Sequence, residues 1–161
     1  MRGDPNLICD TVKDKLLLMF AADTEVTYYQ GITGLSFFPT DPGVIASQLP
    51  VFTVDFSFPR WGMGEAADQI VSEADYLTVQ YYHHIAPDDV NGEIALRAVR
   101  RALWMINRHL GRNASLWGTV DSCTFFGKKL EDLPLQIATT TGVAARWGWI
   151  TFTTRTRLQP L

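Results

Sequence analysis

Val51-Phe52-Thr53-Val54-Asp55-Phe56-Ser57-Phe58 alternates with a period of two, placing Phe52, Val54, Phe56 and Phe58 on one face and Val51, Thr53, Asp55 and Ser57 on the other. Such a stretch is a strand whose apolar face must be covered, and Pro59 ends it. Working outward, Asp75 to Ile85, carrying Tyr76, Val79, Tyr81 and Tyr82, predicts a second, longer strand. Pro87 with Asp88 and Asp89 then predicts the opening of the longest helix, which Gly111 should close as a C′ residue. Its core stripe is Ala95, Val99, Ala102, Leu103, Ile106 and Leu110, and its acidic start and basic end suit the helix dipole.

On the N-terminal side, Asp4-Pro5 is an N-cap followed by proline at the first helical position. Leu7, Ile8, Val12, Leu16, Met19 and Phe20 follow at helical spacing and predict a helix ending near Ala22. Glu25 to Gln30, built on Val26, Tyr28 and Tyr29, predicts a short strand. Residues 31–49, with three glycines, two prolines and Asp41-Pro42-Gly43, predict a long loop, and a second loop is expected over 59–72. Towards the C-terminus, Gly118 to Phe126 and Ala144 to Arg157 predict two strands joined by a connection over 128–141. Trp147 and Trp149 fall on one face of the last strand, with Ile150 and Phe152 on the other. The predicted order is α-β-β-β-α-β-β: an α+β fold in one domain over 1–161, with a mainly antiparallel sheet and two helices packed on one face.

The chain has 161 residues, 47% of them hydrophobic and 19% charged, which is globular rather than disordered composition. Its longest apolar run, Leu16 to Ala22, falls well short of the roughly 18 residues a membrane span needs, and no basic, cleavable leader is expected. A net charge of −3 argues against a nucleic-acid binder held by bulk electrostatics. Cys9 and Cys123 have neither C-x-x-C spacing nor a histidine cluster, so both read as small buried apolar side chains in a reducing compartment.

Candidate chemistry is thin. His83 and His84 are adjacent on a strand and point to opposite faces, so they cannot jointly grip a metal ion; with Asp88 and Asp89 they read as a strand end running into a helix cap. His109 reads as a dipole-complementing or surface residue. Gly62-Met63-Gly64-Glu65-Ala66-Ala67 matches the loose form of a dinucleotide loop, yet the surrounding pattern is not βαβ, and a glycine loop is the simpler reading. No serine stands in a G-x-S-x-G elbow, and no pair of carboxylates has a context that would separate their pKa values. What stands out is aromatic surface: five tryptophans and nine phenylalanines, with Trp61, Trp104 and Trp117 in loops or on a polar helix face. Aromatics beside arginines are the composition of interface cores. Arg97, Arg101, Arg108 and Arg112 form a stripe that reads as a solvated helix face or as a basic face for an acidic partner or passing DNA.

The chain resembles the tail-terminator (tail-completion) proteins of long-tailed bacteriophages. The resemblance rests on the helix at 5–22, the run into Leu49-Pro50-Val51-Phe52-Thr53-Val54 and the strand Tyr76-Leu77-Thr78-Val79-Gln80-Tyr81-Tyr82. It continues with the helix from Glu93 to Leu110 and the closing strand Gly148-Trp149-Ile150-Thr151-Phe152-Thr153-Thr154. It implies a structural protein of the virion tail or neck, assembled in the host cytoplasm, with no catalytic residue, cofactor, metal or membrane. Implied partners are further copies in a hexameric ring, the tail tube protein, a head-completion or connector protein, and DNA passing through the lumen. The loops at 31–49 and 59–72 would supply the subunit or tube contacts, with Trp61 and Trp104 as anchors beside Phe37, Phe38, Arg60 and Met63. A neighbouring neck connector is the nearest alternative, and a small-molecule or nucleotide-binding enzyme using Gly62 to Ala67 and the His83/His84 region is the alternative from a different class.

Overall fold

A computed structural model describes residues 3–57, 60–63, 70–130, 135–138 and 142–158. The first helix, α1 (Pro5–Ala22), starts as its sequence dictates: the Asp4 carboxylate accepts from the Asn6 N–H at 2.9 Å, and proline occupies the first turn. Ile8, Cys9, Val12, Leu16 and Phe20 face inward, whereas Leu7, expected on the same stripe, is 39% exposed in the first turn. Beyond it, the strand predicted over 25–30 is a series of turns instead, closed by Gln30 N–H to Thr27 O and Ile32 N–H to Tyr29 O. The reason is Tyr29. Its ring is buried against Phe20 at 4.8 Å and Tyr81 at 5.7 Å, and its hydroxyl donates to Ala98 O at 2.8 Å, so an aromatic anchor rather than a ladder places this segment.

The predicted loop over 31–49 contains two elements, β1 (Thr33–Leu35) and α2 (Pro42–Ala46). Asp41-Pro42 opens α2 as Asp4-Pro5 opens α1, with the Asp41 carboxylate accepting from the Gly43 N–H at 2.9 Å. β1 runs parallel to β2 (Val51–Ser57), and Gly34 lies so close to the core that a Cβ there would sit 2.6 Å from Phe52 Cζ.

β3 (Arg60–Met63) pairs antiparallel with the start of β4 (Ile70–His84), so both strands reach into the predicted 59–72 loop. The ladder partner, not local propensity, makes β3 a strand. After β4, a 3-10 turn at Val90–Gly92 precedes α3 (Glu93–Gly111), which opens six residues after Pro87. Buried Asp89 accepts from Ile94 N–H and Ala95 N–H, each at 3.0 Å, and is the cap. Gly92 has φ +68°, and a Cβ there would lie 2.8 Å from Arg146 Nε. Gly111 is not a left-handed C′ residue: the helix ends in right-handed geometry at Arg112, and Asn113 Nδ2 donates to His109 O at 2.8 Å.

The chain then turns through residues 113–121, with Gly118 at φ +83°, so β5 (Ser122–Leu130) begins four residues later than predicted. β6 (Leu135–Ala138) and β7 (Val143–Leu158) follow, β6 lying in the predicted 128–141 connection. Among the described residues, seven strands join one sheet in the order β1-β2-β4-β7-β5, with β3 on β4 and β6 on β7, and every pairing except β1-β2 is antiparallel.

α1 and α3 cover one face, packing on Phe52, Val54, Leu77, Val79, Tyr81, Ile150 and Phe152. α2 covers part of the other, where Ile45 packs with Val51, Tyr82 and Ala145. The α+β class and the two helices on one face are therefore as the sequence predicts, with a short third helix behind. Trp147 and Trp149 stack at 4.8 Å on this second face, and Tyr82 stacks on Trp147 at 5.6 Å. Cys9 and Cys123 are free and buried.

Replacing Asp89 with alanine leaves two helix N–H groups without their acceptor and should cost about 1–2 kcal/mol in denaturant unfolding. Asp88→Ala, at an exposed neighbour, is expected to stay within about 0.5 kcal/mol of the parent.

Candidate interaction surface

The outward side of α3 carries Arg97, Arg101, Trp104, Arg108 and Arg112, which helical spacing brings into line. They do not form one uniform basic face. Arg97 is bound to Glu93 one turn earlier, Nη2 to Oε1 at 2.8 Å. Arg101 reaches across to the end of α1, gripping Asp23 through Nε at 2.9 Å and Nη2 at 2.8 Å, and Glu25 at 3.0 Å. The hydrogen bonds from Arg101 hold the Asp23 carboxyl below its usual range. Half of the stripe is thus satisfied within the subunit, Arg97 along α3 and Arg101 as a clamp between α3 and the turn after α1.

The other half is different. Trp104 is 52% exposed, and the Arg108 guanidinium lies 4.9 Å from its ring centre, a cation–π contact. Among the described residues, neither Arg108 nor Arg112 has a carboxylate within ion-pairing distance. Met19 from α1 joins Trp104, Met105, Arg108, His109 and Arg112 from α3 around a shallow groove of about 270 Å³. Trp117 closes behind it, half-buried under His109 at 5.4 Å and Lys15 at 5.8 Å, so this ring belongs to the fold. Burial, with Arg112 and Lys15 nearby, pushes His109 below its ordinary pKa.

A second exposed aromatic group lies elsewhere. Phe37 and Phe38, 54% and 47% exposed, follow β1 at the edge of the sheet and are pinned by buried Pro39. The backbone of Arg60, Trp61 and Met63 lies in β3; their side chains fall outside the described residues. Gly62 and Met63 pair with Val71 and Ile70, so the glycine motif starts inside an antiparallel hairpin rather than at a βαβ crossover; residues 64–69 are outside the description. Leu18 is 66% exposed: Leu16-Leu17-Leu18 sweeps some 200° of a helix, so one of the three must face out. Nearby, a wider groove of about 740 Å³ lies between the end of α1 and the turns over 23–32, lined by Leu17, Phe20, Tyr29 and Ile32 among others.

Burial favours the neutral forms of several thiols, phenols and one imidazole. Burial pushes the Cys9 and Cys123 thiols up to about 12 and Tyr82 up to about 12, and raises Tyr29 and Tyr81 as well. His83 is pushed down to about 4, chiefly by burial and further by His84, with Asp89 opposing; its Nδ1 shares a 2.7 Å hydrogen bond with the Tyr81 hydroxyl. His84 is exposed, and among the described residues no group of three or more His, Cys, Asp or Glu side chains could hold a metal ion. No helix among the described residues is long and apolar enough to cross a membrane.

A histidine of ordinary pKa near 6.5 when unfolded and about 4 when folded takes up its proton first in the unfolded chain. Its neutral, buried form therefore supports the fold above about pH 6.5, and that support is lost as pH falls towards 4. Between pH 6.5 and 5 the parent should lose about 1.5 kcal/mol that a His83→Gln variant does not lose, read by urea unfolding at each pH. Equal pH slopes for the two proteins would contradict this account of His83.

No protein-family model matches the chain, and comparison with curated proteins gives no match.

Proposed function

We propose that this chain is a structural ring subunit of a long-tailed bacteriophage: a tail terminator that caps the tail tube, stops its polymerisation and offers the surface on which the head docks. The observation that carries the reading is the exposure of aromatic side chains on two different sides of one small α+β unit, Phe37 and Phe38 beside the edge strand and Trp104 on the helix layer. A closed ring of identical subunits requires two unlike, complementary patches on each, because its contacts are heterologous and must return to the start. Half-exposed Trp and Phe, with Arg108 lying on the Trp104 ring, have the composition of an interface core, whereas a monomer gains nothing by keeping them in water.

The order of elements supports the same reading: an amphipathic N-terminal helix, the strand pair β2-β4, the long helix α3 and the closing strand β7 follow the tail-terminator pattern. In this role the protein performs no reaction. It matches the tube end on one side, offers no copy of the tube's growing surface on the other, and leaves a lumen for DNA. Its partners are its own copies, the tube protein and a connector of the head, and its place is the virion tail.

Adding the purified chain to polymerising tail tube protein is expected to arrest elongation at substoichiometric ratio, read as tube length by electron microscopy. Trp104→Ala, at a half-exposed position that leaves the core intact, should raise the concentration needed by about tenfold or more. Tubes that lengthen unchanged in the presence of the parent chain would overturn the proposal.

A further inference from the structure

Resting on the ring reading, we infer that these two exposed aromatic groups are the two halves of one contact, Phe125 on β5 lying apart from it: the Phe37-Phe38 corner of each subunit seats in the Met19/Trp104/Met105 groove of the next copy.

The groove has the size for this occupant. A cavity of about 150 Å³ holds one benzene, so a groove of about 270 Å³ takes one phenyl ring with a second at its mouth. It also has the chemistry. Two thioethers and an indole make an apolar, polarisable lining suited to aromatic rings, and Met adapts its shape to what enters.

Charge decides which copies can meet. The groove is rimmed by Arg108 and Arg112, while the phenylalanine corner runs through Pro39 and Thr40 into exposed Asp41. Two corners placed face to face would oppose Asp41 with Asp41, and two grooves would oppose arginines with arginines. Corner against groove is the pairing that brings opposite charges together in a chain of net charge −3. This complementarity makes the contact head-to-tail, as a ring requires.

The contact is an anchor rather than a whole interface. Three rings of about 150–250 Å² each, about half exposed, bring roughly 300 Å² to it, against about 800 Å² per partner in a stable complex. A single pair of subunits is therefore short-lived, and closure of the ring or the tube end must supply the rest.

The contact is tested by chemical cross-linking with a short bismaleimide on Thr40→Cys, at the exposed corner, and Met19→Cys, in the groove. The native thiols at Cys9 and Cys123 are buried and unmodified parent chain gives the background. Each variant is first checked for a parent-like melting curve. Mixing the two single variants is expected to give a cross-linked dimer of one of each and nothing larger. The double variant should give a ladder that ends at the closed ring. Cross-linking of Thr40→Cys to itself, or to tube protein in place of the Met19→Cys copy, would overturn the inference. So would the absence of mixed dimer while the parent runs as a ring, and the ring reading would then stand without this contact. A parent chain that is a monomer at every concentration and ignores tubes would remove the ring reading and this inference together.

Discussion

The antiparallel ladder between β4 and β7 runs from Ile70 opposite Leu158 to His84 opposite Ala145, interrupted by one register shift between Ser72 and Asp75. Every other element takes its place from it. β2 and β3 lie end to end along the free side of β4, β5 and β6 along the free side of β7, and β1 closes the edge beyond β2. Because side chains alternate across the ladder, Leu77, Val79, Tyr81, Ile150 and Phe152 face the two long helices. Tyr82 and Trp147 face α2. Strands of 15 and 16 residues have a contour of about 50 Å. The 18 and 19 residues of α1 and α3 span just under 30 Å. The ribbon is therefore longer than either helix, and β3 flanks its Ile70–Glu73 end.

The helix layer is fastened by few but directional contacts. The Tyr29 hydroxyl ties the turns after α1 to the α3 backbone, and Arg101 clamps the same turns through Asp23 and Glu25. With Arg97 held by Glu93 on the same helix, the first half of the arginine stripe is satisfied within the subunit, while Trp104 and Arg108 stay exposed. The proposed assembly draws only on the part of the face around Trp104 and Arg108.

Much of the framework is legible in the sequence because it obeys local rules. Asp4-Pro5 and the inward stripe of α1, the alternation of β2, and the core positions of α3 are all written in residue type and spacing. The same grammar at Asp41-Pro42 also makes a helix, but the glycine and proline density around it favours reading a loop, since a five-residue helix leaves almost no periodic signal. Tyr29 misleads in the opposite way: two tyrosines and a valine look like a strand, while the ring's burial against Phe20 and Tyr81 takes the backbone out of the sheet. β3 is invisible alone because its partner defines it. At the candidate surface, Trp104 and the phenylalanine pair stand out from the sequence by composition. The pairing of Arg101 with Asp23 does not, because 78 residues separate the two, and the Met19 wall of the groove likewise depends on how α1 lies against α3.

On the proposed function, this surface exists to join copies of the chain. The most direct test is the solution mass by light scattering across a concentration series, alone and with tail tubes. A mass that rises with concentration to a closed oligomer, or a monomer that becomes a ring on tubes, is the result expected. A concentration-independent monomer that does not bind tubes would contradict the account.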